Sequence, residues 1–361
     1  GNTDLGLIEA GAAQLLACWN GLLSVVGDSL ASLIVTTVPP GYSSTDISFD
    51  SFPDFTPSYA EFQVFEWING EFLAGIYDED NTLGKLLSIN ESGGIVALAS
   101  RIDSGSAVDT TPYGVAASAT TIAIVTRNDY GYGSFEGEIW TAPLAAVPYV
   151  FTQKSTSGTY SGQKVRYGGS KFAAILTDFT TVSRVRRSTD DGATWQSVSI
   201  AAGALYDCCY DGSLWLFGGL ASGPVPLVMT SSDLITFNTI TTSGLPGSGQ
   251  ITSVSYSSVH GYFFLTINAG GVYKSSDGTT WGEVTVDDVG YTTSNSVCSN
   301  SAGEVFLSAA GGLLAQYGVD GDQFTTIGDL VGVQIAANGM EFVTGGNVGG
   351  SFGQYSTVTE T

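Results

Sequence analysis

Cys209-Tyr210-Asp211-Gly212, followed at once by Ser213-Leu214-Trp215-Leu216-Phe217-Gly218-Gly219, is a strand ending in an aromatic, a two-residue turn and a strongly apolar strand. Asp-Gly tolerates positive φ at both centres of a type I′ hairpin turn, so the stretch predicts a tight β-hairpin. The same phrase recurs along the chain. Cys18-Trp19-Asn20-Gly21 precedes LLSVV, Trp67-Ile68-Asn69-Gly70 precedes EFLAGI, Arg166-Tyr167-Gly168-Gly169 precedes SKFAAIL, and Asn338-Gly339 precedes MEFVTGG. Looser copies precede TIAIVT from Thr121, YFFLTI from Tyr262 and EVFLSA from Glu304. One residue from each apolar strand gives Leu22, Phe72, Ile122, Phe172, Leu216, Phe263, Phe306 and Phe342, at intervals of 36 to 50 residues. Four short strands with their turns occupy about 40–45 residues, the size of a propeller blade.

The expected fold is therefore all-β: a single β-propeller of four-stranded blades over 1–361, eight by this count. Blades are placed near 10–52, 60–103, 113–153, 163–200, 204–242, 250–287, 291–329 and 331–361. The last unit holds three strands at most, and 3–9 is expected to supply its fourth, so that both chain ends close the ring and no sheet edge is left open. Seven blades is the alternative. Ile8, Ala12, Leu15, Trp19, Leu22, Val26, Leu30 and Leu33 also fit a helical stripe, which would make residues 1–50 an anchor. Gly11, Gly21 and Gly27 disfavour that helix by about 1 kcal/mol each relative to Ala.

A second pattern falls in phase with the first. Ser188-Thr189-Asp190-Asp191-Gly192-Ala193-Thr194-Trp195 reads S-x-D-x-G-x-T-W, and Ser275-Ser276-Asp277-Gly278-Thr279-Thr280-Trp281 is the same phrase one residue shorter. Degenerate copies are Ser231-Ser232-Asp233-Leu234-Ile235-Thr236-Phe237 and Asp320-Gly321-Asp322-Gln323-Phe324, and the faintest is Ser44-Thr45-Asp46-Ile47-Ser48-Phe49. These stretches resemble the Asp box of the bacterial-neuraminidase-repeat propellers. The resemblance implies that each box joins the third and fourth strands of a blade, with the Asp bonding turn amides, the Gly at positive φ and the aromatic tucked between blades. A carboxylate that accepts hydrogen bonds from its own turn rigidifies it, which agrees with that role.

Composition restricts the chemistry. Charged residues make up 12 % of the chain, against roughly 25 % in ordinary soluble domains. The net charge of −23 opposes binding to nucleic-acid phosphates or anionic lipid. Residues 10–27 carry no charge, but Gln14, Asn20 and three glycines interrupt them and the flanking charges are the acidic Asp4 and Glu9. That run is read neither as a membrane span nor as a signal peptide. The four cysteines, Cys18, Cys208, Cys209 and Cys298, lack metal-ligand spacing and are read as reduced, half-buried small apolar side chains.

The resemblance also invites a sialidase reading, which implies three arginines around a substrate carboxylate, a Tyr nucleophile with a Glu partner and an acid/base Asp. The arginines are Arg101, Arg127, Arg166, Arg184, Arg186 and Arg187, none of them in the first 100 residues, so that triad is not identifiable. The single histidine, His260, sits in the turn Ser258-Val259-His260-Gly261, and a Ser-His-Asp triad would have to use it. Asp78/Asp80, Asp287/Asp288 and Asp320/Asp322 do not form a D-x-[DN]-x-[DN]-G calcium loop. No catalytic residue, cofactor or metal site is assigned. A glycosidase carboxylate pair stays open among so many acids.

Two features suit binding. Seven of the eleven cations fall between Lys154 and Arg187. Strand alternation puts Arg184 and Arg186 on one face and Arg187 on the other, as a patch for an acidic neighbour or a polyanionic glycan, or else as internal partners of Asp178, Asp190 and Asp191. Tyr130 and Tyr132, in Asn128-Asp129-Tyr130-Gly131-Tyr132-Gly133, suit stacking on sugar rings or on a protein surface, or belong to an ordinary hairpin loop. The expected function is a non-enzymatic structural or receptor-binding component of an extracellular assembly. A virion is the favoured location, as a phage tail or capsid appendage, because the short S-S-D-G-x-x-W boxes resemble those of phage structural proteins. Its partners would be other subunits of the assembly or a cell-surface glycan. The alternatives are a secreted glycan-binding module and a glycoside hydrolase.

Overall fold

The computed structural model describes residues 109–129, 135–145, 149–178, 182–268, 270–287, 294–299, 304–309, 313–318 and 322–329, together with the strands named below in the remaining parts of the chain. Seven four-stranded units follow one another. The first is Ala60–Ile68, Glu71–Asp78, Leu83–Ile89 and Ile95–Ala99; the second Asp109–Ala117, Thr121–Asp129, Phe135–Pro143 and Thr152–Ser157. The third is Ser161–Gly168, Lys171–Thr177, Ser183–Ser188 and Gln196–Ile200; the fourth Gly203–Tyr210, Trp215–Ala221, Val225–Ser231 and Asn238–Thr239. The fifth is Ile251–Ser257, Tyr262–Ile267, Val272–Ser275 and Gly282–Val286; the sixth Ser294–Ser299, Val305–Ala309, Leu313–Gly318 and Gln323–Asp329. The outer strands of these two blades pair in parallel, Thr285 with Gln323 and Val286 with Phe324.

The seventh blade is built from Gln334–Asn338, Glu341–Val348 and Ser351–Glu360, and its outer strand is Tyr42–Ile47. Both ends of the chain thus share the last blade, but the closing strand is not 3–9. Glu9–Ala10 pairs instead with Ala13–Leu15, which pairs with Val25–Val26 in a separate three-stranded sheet. The first strand of each blade packs beside the first strand of the next, and Gln334–Asn338 packs on Ala60–Ile68. That contact closes the ring at seven, so 10–52 is not an eighth blade. The physical reason is closure: the 42–47 strand is consumed as the edge of the seventh sheet. For the same reason Ser44–Ile47, read as the faintest Asp box, is strand, with Asp46 opposite Ser356.

Alternation along the strands fills the seams between blades. In the third blade Ala173 and Ile175 join Leu205, Phe217 and Met229 of the fourth, while Ala174 and Leu176 join Ala123, Val125 and Ile139 of the second. Both faces of Lys171–Thr177 are therefore covered, and Phe172 through Leu176 are fully buried. Phe172, Ile175 and Leu176 each contribute roughly 1.5–3 kcal/mol relative to exposure.

The three best-described boxes occupy turns between third and fourth strands. Gly192 N–H donates to the Ser188 hydroxyl at 2.8 Å and Thr194 N–H to Asp190 Oδ1 at 2.9 Å. Gly278 N–H donates to Ser275 at 2.9 Å, and Asp277 Oδ1 accepts from Thr279 and Thr280 N–H at 2.7 and 2.8 Å. Asp233 accepts in the same way from Ile235 and Thr236, both at 2.8 Å. Trp195 and Trp281 donate their indole N–H to the carbonyls of Gly192 and Gly278. Trp195, Phe237, Trp281 and Phe324 each pack into the seam with the preceding blade. Asp320 lies outside the described residues.

Candidate functional site

The first strands of the blades line the ring's central channel, and a one-residue bulge recurs in those of the first six. Gln63, Tyr113, Gln163, Tyr206, Thr252 and Asn295 are the residues left out of register. A bulge turns the strand and re-aims the side chains beyond it. Lys164, Asp207 and Ser253 follow directly after theirs.

Those side chains meet. Glu66 of the first blade accepts an ion-paired hydrogen bond from Arg166 Nη1 of the third, and Lys164 Nζ lies 3.5 Å from the same carboxylate oxygen. Arg166 Nε lies 3.6 Å from Asp207 Oδ1 of the fourth blade. Asp207 Oδ1 also accepts the Cys208 N–H at 2.8 Å, and its Oδ2 the Val254 N–H at 3.1 Å. The Ser253 hydroxyl lies 3.2 Å from both Asp207 Oδ2 and the Val297 carbonyl. Further round, the Ser255 and Ser299 hydroxyls are 2.8 Å apart. Five blades are tied by one polar chain. Burial acts to lower the Arg166 pKa, but the Glu66 and Asp207 carboxylates outweigh it and raise it, so the guanidinium is permanently charged.

Two cavities flank this cluster. One, of about 220 Å³, is lined by residues of the first, third, fourth, fifth and sixth blades, including Lys164, Tyr210, Tyr256 and Cys298. The other, of about 330 Å³, opens among Ile68, Val115, Ala117 and Leu144. Glu66, Arg166 and Tyr167 belong to both. Glu66 and Arg166 thus stand between the two cavities. The cluster's two positive and two negative groups balance one another. Burial raises the thiol pKa values of Cys208, Cys209 and Cys298, further assisted by Asp207 at the first two and by Glu66 at the third. None is an activated nucleophile. Among the described residues no three His, Cys, Asp or Glu side chains gather as metal ligands.

The arginines of the third blade divide as strand alternation requires. Arg187 turns to the fourth blade, donating to Gln196 Oε1 at 2.7 Å and to the Asp233 carbonyl at 3.4 Å. Arg184 and Arg186 turn to the second, where the Arg184 guanidinium lies 4.4 Å from the Tyr160 ring centroid and Arg186 Nη2 donates to the Thr156 carbonyl at 2.5 Å. Arg186 is buried, so it is not a surface cation. Nor do the arginines pair with the acids nearest in sequence. Asp190 serves its own turn, Asp178 accepts the Val182 N–H at 3.0 Å, and Asp191 crosses to the Thr120 and Thr121 hydroxyls of the second blade. Tyr130 and Tyr132 lie outside the described residues.

Contacts with no local sequence signal link the fifth and sixth blades. Lys274 pairs with Asp322 and donates to the Tyr317 hydroxyl at 3.1 Å, and Tyr317 donates to Asp322 at 2.7 Å. His260 stands edge-on to Tyr317, with ring centroids 5.5 Å apart. Its ring is packed against the sixth blade.

No family model matches the chain, and no curated protein matches it. Solved structures do. The structure of U3-55K aligns at a TM-score of 0.60 and 9 % identity, covering 88 % of this chain and 98 % of that one. The WD40 repeats of RRP9 align at 0.60 and 10 % identity, covering 88 % and 97 %. At such identity the likeness speaks for architecture alone, and together with the closed ring of four-stranded sheets it identifies this chain as a single β-propeller.

Proposed function

We propose that the protein is a non-enzymatic binding and assembly module, a structural or receptor-binding component of an extracellular assembly, with a virion appendage such as a phage tail or capsid decoration as the favoured setting. The observation that carries this reading is the use made of the charged groups in the channel. Glu66, Lys164, Arg166 and Asp207 pair across blades into a neutral cluster instead of presenting an acid, a base or a nucleophile to a substrate. The Asp-box carboxylates are likewise consumed by their own turns. Such polar groups hold a rigid ring together, and a rigid ring presents its loops to partners. The resemblance of the boxes to those of phage structural proteins supports the virion setting.

The experiment is quantitative mass spectrometry of purified particles from the native source. The proposal expects this chain at a fixed copy number per particle. Its absence from particles, together with turnover of a glycoside substrate by the purified chain, would reject the proposal in favour of a hydrolase.

A further inference from the structure

We propose that Arg184 and Arg186 form a binding site for a free tetrahedral oxyanion, sulfate or phosphate, in the seam between the second and third blades. The two residues lie two apart on one strand and so share a face, about 7 Å from one another along it. That face meets the second blade, as the contacts with Tyr160 and Thr156 show. Arg186 is 9 % exposed. The Nε atoms of both arginines are buried and have no hydrogen-bond partner. Among the described residues no carboxylate lies within salt-bridge distance of either guanidinium.

A buried charge without a counter-charge is strongly unfavourable, and here two of like sign adjoin. Burial and the neighbouring Arg184 both lower the Arg186 pKa, which is the signature of missing negative charge. Four carboxylates of the second and third blades are committed elsewhere. Asp178, Asp190 and Asp191 have the partners described above, and Glu138 accepts from Trp140 and Gln153. Each guanidinium carries five donors in a planar fork that suits oxyanions. Ser197 and Ser199 pair with Arg186 and Arg184 across the outer strand, so their exposed hydroxyls flank the same face. Arg184 is half-buried. The Nε groups lie below the surface, and a tetrahedral ion has oxygens enough to bridge two forks.

The test is titration calorimetry of the full chain with sodium sulfate, sodium phosphate and sodium acetate, at constant ionic strength made up with chloride. The expected result is saturable one-to-one binding of sulfate or phosphate, weakened at least about tenfold in Arg184→Met and in Arg186→Met. Lys171→Met, a cation elsewhere in the same blade, should bind like the parent. Should Arg186→Met not fold, Arg184→Met decides, since its side chain is only half-buried. Absence of saturable heat in the parent chain overturns the proposal. So does equal binding by the parent and Arg184→Met, or binding of acetate as tight as that of sulfate and phosphate.

Discussion

Leu234 stands at φ 61° in the turn position that Gly278 fills at φ 72° one blade later, and the Leu234 side chain is fully buried. The turn is otherwise the same: Leu234 N–H donates to Ser231 Oγ as Gly278 N–H does to Ser275 Oγ. The fourth blade keeps the box geometry without its glycine because burial offsets the backbone cost.

Two substitutions separate those terms. Leu234→Ala removes the buried side chain at about 2–5 kcal/mol. It retains the left-handed backbone, which costs a residue with a Cβ roughly 1–2 kcal/mol. Leu234→Gly loses the same packing but relieves the backbone. Both should unfold at lower urea than the parent, with Leu234→Gly at least as stable as Leu234→Ala, the reverse of the usual order. Leu234→Gly well below Leu234→Ala would show that the turn is not strained.

The boxes should also set the protein's acid limit. Thr194 holds the Asp190 carboxyl down to about 2, and the Thr236 and Ile235 amides hold Asp233 at about 2. Thr280 and Thr279 N–H depress Asp277 further. A carboxyl depressed in the folded state stabilises it above the ordinary Asp value of about 3.9, and that contribution is lost as pH falls through the folded value. The urea midpoint should therefore fall between about pH 4 and pH 2. An Asp190→Asn/Asp233→Asn/Asp277→Asn variant should start lower at pH 6 and fall less across that window. An unchanged slope would assign the acid limit to other groups.

The hairpin phrase and the boxes were legible because each is local: a turn needs its Asn-Gly or Asp-Gly, and a box carries donors and acceptor within seven or eight residues. The channel was not. Glu66 and Arg166 are 100 residues apart and meet only because the ring brings the first strands of different blades together. The bulges that aim Lys164 and Asp207 leave no mark in composition. The closing strand was misplaced because Tyr42–Ile47 resembles a weak box and Cys18-Trp19-Asn20-Gly21 resembles a blade hairpin. Pairing to Ser351–Glu360 is decided 300 residues away in the chain.

Asp207 is the member of the channel cluster whose loss should cost most. It is 3 % exposed and accepts from Cys208, Ser253 and Val254 besides facing Arg166. Asp207→Ala leaves the Cys208 and Val254 N–H groups without this acceptor and Arg166 with Glu66 alone, at about 1–3 kcal/mol. Arg166→Met/Asp207→Ala removes both charges, so its cost should fall clearly below the sum of the single changes. Denaturant unfolding of the four proteins closes the cycle. Additive costs would mean that the 3.6 Å pair is not energetically coupled.

The cysteines give a last prediction that separates access from acidity. Cys209 and Cys298 line the 220 Å³ cavity, so they are not sealed from small reagents, yet burial raises both thiol pKa values well above the ordinary range. Only the thiolate attacks a disulfide reagent, and each unit of pKa lowers its population tenfold. In a Cys18→Ser chain at pH 8, Cys208, Cys209 and Cys298 should react with an aromatic disulfide at least about a hundredfold more slowly than in denaturant. The native rate should then keep climbing with pH beyond the value at which an ordinary thiol has levelled off. A rate that plateaus near pH 9 would place the control in access to the channel, with the Asp207 and Glu66 carboxylates contributing nothing to the thiols' silence.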